Sequence, residues 1–172
     1  MERVTVIGNS GGGKSQLARQ LAAQSDLPYV EIDTLLWRAG WRLASDEEFD
    51  AAHAQHIGKD RWVIDGVGKR ASISARLDRA TDIVLVDLPL WLHFALAAER
   101  QLAWAAGRLE HPPAGMTEMP PLRALFRTIW DIDRDWLPEI RRLIEAEEAQ
   151  GKRVFRLTSL EALDGFLPSL ML

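Results

Sequence analysis

The sequence predicts an α/β protein in which helices cover both faces of a parallel β-sheet. A strand, a glycine-rich loop and a helix follow one another near the N-terminus, and a second strand comes next. This is a βαβ unit, whose two strands run parallel. A later strand, residues 83–88, is almost continuously apolar, which is typical of strands buried on both faces. We therefore expect a three-layer α/β/α sandwich.

Length and composition narrow the class of protein. The chain has 172 residues, which is typical of one domain, so we expect a single domain over residues 1–172. It has no cysteine, which excludes disulfides, thiol catalysis and cysteine-ligated zinc. A net charge of -4 argues against direct binding to nucleic acid. Without a signal-peptide pattern or a membrane-length apolar run, we expect a cytoplasmic protein with no membrane partner. We also expect a monomer or dimer.

The glycine-rich loop has the spacing of a phosphate-binding loop, G-x-x-x-x-G-K-[ST]. Glycines let the backbone curl so that its N–H groups point at phosphate oxygens, and the helix that follows directs its positive end to the same place. A lysine can reach the β- and γ-phosphates, and a serine hydroxyl can ligate Mg²⁺. We expect ATP to be bound by Gly8, Asn9, Ser10, Gly11, Gly12, Gly13, Lys14, Ser15 and Gln16.

Strand and helix patterns extend along the whole chain. Strands are predicted at residues 3–7, 29–32, 61–66, 83–88 and 153–157. Helices are predicted at residues 15–22, 46–57, 72–79, 90–107, 122–131, 136–150 and 160–167. Ser45 and Glu48 form a capping box before the second helix, and Gly151 should end the helix before the last strand.

Three predicted strands end in an aspartate, at Asp33, Asp65 and Asp87. Parallel strands place their carboxyl ends at the same edge of a sheet, and ligands bind there. Asp65 ends an apolar strand as a Walker B carboxylate does, so we expect it to hold Mg²⁺ together with Ser15. For Asp87 we favour a structural role, bonding loop amides or capping the next helix. Asp33 either orients or deprotonates a phosphoryl acceptor, or caps the segment that follows it.

A proline-rich stretch without apolar periodicity, residues 108–121, predicts a lid within an insertion at about residues 100–135. Together with the catalytic Lys14, three arginines are candidate phosphate clamps: Arg100, Arg108 and Arg134. The acceptor pocket should lie between Asp33, Trp37, Trp41 and the lid. Alternatively, the two tryptophans pack under the helix that starts at residue 46.

Two histidines, His53 and His56, lie one helical turn apart on the predicted helix at residues 46–57. A metal site there would need a third ligand, and none is evident in the sequence. Packed or surface histidines are the alternative. Lys69 and Arg70 come shortly after Asp65 and could neutralise phosphate charge.

These motifs resemble those of small P-loop kinases of the adenylate-kinase type. The closest similarity is to bacterial topology modulation proteins and adenylate-kinase-related kinases. It rests on the phosphate loop, on Asp33 followed by Leu36-Trp37 and Gly40-Trp41, and on the segments at residues 62–66, 87–89 and 151–154. The resemblance implies a P-loop NTPase fold with five parallel strands, the third beside the first, and an arginine-bearing lid.

Two segments depart from this family. Relatives usually continue Asp-Gly with asparagine and an aromatic residue, whereas this chain has Val67-Gly68. The lid-side helix of relatives is rich in arginine, whereas here Asp131, Asp133 and Asp135 surround Arg134. Both differences concern the part of the chain that would recognise the acceptor.

Two functions remain open from the sequence. The first is a Mg²⁺-dependent kinase that transfers the γ-phosphoryl group of a nucleoside triphosphate, ATP, to a small nucleotide-like or metabolite-like acceptor. The alternative is a regulatory NTPase or nucleotide-dependent switch, because Asp65-Gly66-Val67-Gly68 matches D-x-x-G. The chain has no Asn-Lys-x-Asp motif, which counts against a GTPase. An ATP-binding module acting on nucleic acid is disfavoured by the acidic charge.

Overall fold

The structure is a computed structural model that describes residues 1–110 and 118–170. Its strands are β1 (Arg3–Gly8), β2 (Tyr29–Glu31), β3 (Trp37–Arg38), β4 (Arg42–Leu43), β5 (Trp62–Asp65), β6 (Asp82–Val86) and β7 (Arg153–Leu157). Its helices are α1 (Lys14–Ser25), α2 (Ile32–Leu36), α3 (Asp46–Ile57), α4 (Arg70–Arg79), α5 (Leu90–Ala105), α6 (Leu122–Asp131), α7 (Leu137–Ala149) and α8 (Leu160–Ser169). A π-helical turn, Ile132–Trp136, joins α6 to α7.

The main sheet is parallel, and among the described residues it has five strands in the order β2-β5-β1-β6-β7. Both the parallel sheet and the place of the Trp62–Asp65 strand beside the first strand confirm the expected fold. In this register Val6 pairs with Asp65 and Gly8 pairs with Val86. The turn after β1 therefore begins between the ends of its two neighbours, where ligands of such sheets bind.

The two faces of the sheet bury separate apolar clusters, because side chains alternate along each strand. On one face Val4 and Val6 pack with Leu17 and Leu21 of α1 and with Phe166 of α8. On the other face lies a second cluster, which contains Ile7, Ile64, Leu85, Phe49 of α3, Leu77 of α4 and Ile140 of α7. Helices thus cover both faces, which is why the strands read as nearly continuous apolar runs.

Local signals set several helix ends as expected. Ser45 Oγ accepts from the Glu48 amide at 3.1 Å, and the Glu48 carboxylate accepts from the Ser45 amide at 3.1 Å, so the capping box is confirmed. Ser159 caps α8 by accepting from the amide of Ala162. Gly151 follows the end of α7 with a φ of 94°, a left-handed conformation that glycine adopts without strain.

The segment after β2 differs from the expected simple strand. The strand ends at Glu31, and Ile32–Leu36 forms the short helix α2, followed by the β3–β4 hairpin. A carboxylate in a first helical turn is favourable because it faces unpaired N–H groups, and Asp33 occupies that turn. Asp33 therefore lies beyond the strand end, on a helix that begins at the same edge.

Part of the predicted lid, residues 111–117, lies outside the described residues. The helix predicted over residues 122–131 is confirmed, and the π-helical turn makes it continuous with α7. Within residues 1–110 and 118–170, no helix combines the length and apolar composition needed to cross a membrane.

Candidate functional site

The phosphate-loop segment turns sharply out of β1 and leads into α1. Gly8 has a φ of 150°, and a Cβ added to it would lie 2.1 Å from the carbonyl oxygen of Val86, so only glycine fits. Helix α1 has Gly13 as its N-cap and no side-chain cap, in contrast to the serine caps of α3 and α8. The first amides of α1 therefore stay available to an anion.

Two side chains hold the loop in place: one belongs to the loop itself and the other lies on α5. Asn9 is fully buried; its Oδ1 accepts from the Ser10 amide at 2.8 Å, and its Nδ2 donates to the carbonyl of Ile129 in α6 at 2.8 Å. His93 of α5 places Nδ1 2.9 Å from the Ser10 carbonyl. Since a carbonyl only accepts, His93 carries a proton on Nδ1. Burial lowers the pKa of His93, so the ring is neutral near pH 7.

Lys14 is buried at the mouth of the loop, with 8% of its surface exposed. Its Nζ donates to the carbonyl oxygen of Asn9 at 2.5 Å, so the ammonium group folds back over the loop. Burial lowers the pKa of Lys14, and the carboxylates of Asp65 and Asp33 oppose that shift. The lysine charge and both carboxylates therefore affect one another electrostatically.

Asp65 ends β5 beside the loop and is 1% exposed. Its Oδ1 accepts from the Tyr29 hydroxyl at 3.0 Å, and its Oδ2 has no hydrogen-bond partner in the described part of the chain. Burial raises the pKa of Asp65, while the Ser15 hydroxyl and the Lys14 ammonium lower it. A buried acceptor without a partner costs free energy unless a ligand satisfies it. An oxygen site next to a serine hydroxyl fits Mg²⁺.

No group of three or more histidine or acidic side chains could hold a metal ion alone within residues 1–110 and 118–170. A Mg²⁺ at Asp65 and Ser15 would therefore take its other oxygens from phosphate and water, which is usual for this ion. The histidine pair does not form such a group. His53 is 5% exposed and its ring stacks on Phe49, with centroids 5.7 Å apart, so it is a packed histidine.

Asp33 faces the open side of the same edge. It is exposed to solvent, yet enough protein surrounds it for desolvation to raise its pKa; Lys14 and Arg100 lower the pKa, and Asp65 raises it. Desolvation also lowers the pKa of Arg100, against the effect of Asp33 and Glu31. The charges of Lys14, Asp65 and Arg100 thus all affect the pKa of Asp33.

Sequence reasoning missed Glu31, the last residue of β2. It is the direct register partner of Asp65, and its carboxylate lies 3.9 Å from the guanidinium of Arg19. Burial, helped by Asp65 and Asp33, raises the pKa of Glu31 to about 7. Its position at the carboxyl end of a predicted strand, two residues before Asp33, was the signal that could have identified it.

A second residue that the sequence did not reveal is Arg76 of α4, which is fully buried. One terminal nitrogen, Nη2, donates to the carbonyls of Gly66 and Val67 at 2.8 and 3.2 Å. Nε and Nη1 have no partner among the residues that the structure describes. Burial lowers the pKa of Arg76 to about 10, and Asp65 and Asp33 oppose the shift. A buried guanidinium therefore holds the backbone that directly follows Asp65.

The other predicted cations lie in different surroundings from Arg100. Arg134 is exposed and binds Asp135 through two hydrogen bonds of 2.6 and 2.7 Å. Arg108 is exposed just after α5, and no contact in the described residues connects it to the site. Further cations next to the site are paired: Lys69 with Asp46, Arg70 with Glu139, and Arg141 with Asp87. Asp87 thus has the structural role that we favoured, but it forms an ion pair with Arg141 of α7 instead of bonding loop amides.

Three tryptophans line one side of the Asp33 region. The ring centroids of Trp37 and Trp41 lie 5.7 Å apart in an edge-to-face arrangement, and those of Trp41 and Trp104 lie 6.5 Å apart. Trp41 Nε1 donates to the carbonyl of Glu118 at 2.9 Å. The aromatic partners of Trp37 and Trp41 are thus each other and Trp104 of α5, rather than side chains of α3.

Comparison with known proteins identifies the fold. No protein-family model matches the sequence, and no curated protein matches it. Shikimate kinase from Acinetobacter baumannii, in complex with shikimate, matches with a TM-score of 0.59 and 14% identity over 99% of this chain and 91% of that chain. Shikimate kinase from Aquifex aeolicus vf5 matches with a TM-score of 0.51 and 14% identity over 98% and 96%. At such identity the likeness shows the fold alone, which this chain shares with these two solved structures.

Proposed function

We propose that this protein is an ATP- and Mg²⁺-dependent kinase that transfers the γ-phosphoryl group of ATP to a hydroxyl of a small acceptor. One observation carries the proposal: Asp65 ends the strand beside β1, Lys14 lies over the loop, and Asp33 lies in the first turn of the helix after β2. All three are at the carboxyl edge of the sheet, where no side chain caps the N-terminus of α1. The finer resemblance to adenylate-kinase-related topology modulation proteins, a cytoplasmic location, and a monomeric or dimeric state belong to this proposal and rest on sequence.

The phosphate loop would bind the nucleotide. Backbone N–H groups from Gly11 to Gln16 would surround the phosphates, and Lys14 would swing from the Asn9 carbonyl to the β- and γ-phosphate oxygens. Asp65 and the Ser15 hydroxyl would hold Mg²⁺, which would supply positive charge against the phosphates. That assignment is supported by Oδ2 of Asp65, which has no hydrogen-bond partner among the described residues.

Asp33 would act on the phosphoryl acceptor. An acceptor oxygen would form a bond to the γ-phosphorus as the bond to the leaving ADP oxygen breaks, and its proton would pass to Asp33. Arg100, whose charge lowers the pKa of Asp33, could balance charge on the transferred group, with Arg108 and Arg134 as further candidates. Two solved structures that share the fold are shikimate kinases, one with shikimate bound, which supports a small-molecule acceptor.

The switch alternative finds less support. A switch segment must change conformation when the γ-phosphate leaves. In this chain the Asp65-Gly66-Val67-Gly68 segment is held by the buried Arg76 through the carbonyls of Gly66 and Val67. That attachment favours a fixed turn, so we rank the kinase above the switch.

The proposal is tested by two measurements on the full chain. Isothermal titration calorimetry with a non-hydrolysable ATP analogue and Mg²⁺ should give one binding site per chain. An ADP-release assay should then show turnover that depends on an added acceptor. Nucleotide binding followed by acceptor-independent hydrolysis would support the regulatory NTPase, and no binding would reject both.

A further inference from the structure

A buried arginine of α4, Arg76, holds the turn that follows β5. It is fully buried, and its Nη2 donates to the carbonyls of Gly66 and Val67 at 2.8 and 3.2 Å. Burying a guanidinium costs free energy. An apolar residue would fill the same place at less cost, because Ile73 and Leu77 on the same helix are buried apolar residues. What the arginine adds, and an apolar side chain could not, is the attachment of this turn to α4.

The same turn packs against the start of α2, the helix that carries Asp33. A Cβ on Gly66 would clash with Cγ2 of Ile32, and a Cβ on Gly68 would lie 2.6 Å from Cδ1 of Ile32. Both glycines have a positive φ, of 103° and 70°, so the conformation as well as the space excludes a larger residue. Ile32 is fully buried and comes directly before Asp33. The backbone of the turn therefore fixes the place where α2 begins.

The carboxylate of Asp33 lies near this turn as well. Its Oδ1 is 3.9 Å from the position that a Cβ on Gly66 would occupy. On the other side, Asp65 ends β5 and comes directly before the turn. The turn at residues 66–68 therefore connects the carboxylate that we assign to the metal with the carboxylate that we assign to the acceptor, and Arg76 holds it from α4.

From these contacts we infer that Arg76 is a positioning residue for phosphoryl transfer: by holding the turn at residues 66–68, it fixes Asp33 relative to Asp65. This inference rests on the proposed kinase function. Transfer requires the acceptor oxygen to meet the γ-phosphorus in line, and a displacement of about 1 Å can cost about a hundredfold in rate. Because Arg76 is fully buried, it acts through the turn and not by contact with a substrate.

The attachment is tested first without a substrate, by hydrogen–deuterium exchange of the full chain. Arg76→Met removes the donors and keeps an apolar side chain. We expect faster exchange both in the turn at residues 66–68 and in Ile32–Leu36, because release of the turn frees the start of α2. Phe166→Leu, in the apolar cluster on the opposite face of the sheet, is the control for general loss of stability. Faster exchange in the turn alone, in neither segment, or equally in the control would overturn the inference.

A conservative variant, Arg76→Lys, keeps the test decisive if Arg76→Met does not fold. One arginine nitrogen makes both bonds to the turn, so a lysine ammonium, which has three donors, can replace it. We expect this variant to keep wild-type exchange in both segments and a kcat close to that of the wild type. A large loss of kcat with unchanged exchange would show that Arg76 does not act through the turn, which contradicts the inference.

The kinetic test uses an acceptor that gives turnover in the ADP-release assay. Arg76→Met should lower kcat about tenfold to a hundredfold. Its affinity for the ATP analogue should stay nearly unchanged, because Asn9 and His93 hold the phosphate loop independently of the turn. Phe166→Leu should keep the wild-type kcat at a temperature where all variants are folded.

A double-mutant cycle shows whether Arg76 acts through Asp33. In the Asp33→Asn background, Arg76→Met should cost little more, since residues that act as one unit have non-additive effects. Losses that multiply would place the action of Arg76 elsewhere and refute the inference. A wild-type protein without ATP-analogue binding or acceptor-dependent turnover would reject the proposed function and this inference with it. The exchange measurement separates that result from a failure of the attachment alone.

Discussion

Tyr29 donates its hydroxyl hydrogen to Oδ1 of Asp65 at 3.0 Å across two neighbouring parallel strands, and this bond fixes the orientation of a carboxylate that is 1% exposed. The other oxygen, Oδ2, is left without a partner in the described part of the chain. The two oxygens of Asp65 thus have separate tasks, one structural and one open to a ligand.

The first prediction concerns the metal-linked carboxylate. Asp65→Asn should weaken the Mg²⁺ dependence of ATP-analogue binding at least about tenfold, the scale of losing a metal-linked carboxylate. Asp87→Asn is the matched control, because Asp87 also follows a strand of the main sheet but is bound by Arg141 at 2.7 and 2.9 Å. It should lower thermal stability with little effect on Mg²⁺ dependence. Calorimetry over a Mg²⁺ series distinguishes the two, and the reverse ranking would refute the assignment.

A second prediction concerns the loop lysine. Lys14→Ala should reduce ATP-analogue affinity about tenfold to a hundredfold, because a charge-assisted contact to phosphate is lost. Its Nζ bonds only the Asn9 carbonyl among the described residues, so the fold should persist, which circular dichroism can check. Lys59→Ala, an exposed lysine after α3, serves as the control. Equal affinity of wild type and Lys14→Ala would contradict the proposed role.

Asp33 gives the third prediction. Asp33→Asn should leave ATP-analogue binding nearly unchanged and lower phosphoryl transfer about a hundredfold or more, the usual scale for a positioned base. The measurement is single-turnover transfer to an acceptor that gives turnover in the ADP-release assay. Asp60→Asn, an exposed aspartate away from the site, should transfer at the wild-type rate. Asp33 would have no part in the mechanism if its variant did the same.

The fourth prediction concerns stability and pH. Burial lowers the pKa of His53 to about 4, whereas an unfolded histidine titrates near 6.5. Between these values the unfolded chain binds more protons than the folded one, so stability falls as pH drops from about 6.5 to about 4. His53→Phe keeps a ring that can stack on Phe49 and removes this proton. Urea unfolding at pH 7 and pH 5 should show a smaller loss for the variant; equal losses would contradict the prediction.

Of the three carboxylates at the site, two could be predicted from the sequence and one could not. Asp33 and Asp65 could be identified because each follows an apolar strand, and parallel strands end at one edge. Glu31 also stands near the end of a predicted strand, but its pairing in register with Asp65 is set by the order of the strands in the sheet, which the residues around Glu31 do not indicate. A short strand followed at once by a helix also obscured where β2 ends.

By itself the sequence determined the phosphate loop, the parallel sheet and most helix ends. Each depends on neighbours in the chain: glycines that curl a backbone, serines that cap a helix, and apolar residues at a fixed period. The loop motif alone is enough to make a nucleotide-dependent kinase a testable hypothesis.

The tertiary structure alone decided which charges meet. Arg76 binds the carbonyls of Gly66 and Val67 just after Asp65, Arg141 binds Asp87, and Trp104 of α5 contacts Trp41 of the β3–β4 hairpin. Such pairs form because the sheet and its helices bring distant residues together. Ionic and aromatic contacts produce no periodic pattern in the sequence, so they cannot be predicted from it. The loop could therefore be predicted from local rules, whereas the acceptor side of the site depended on packing.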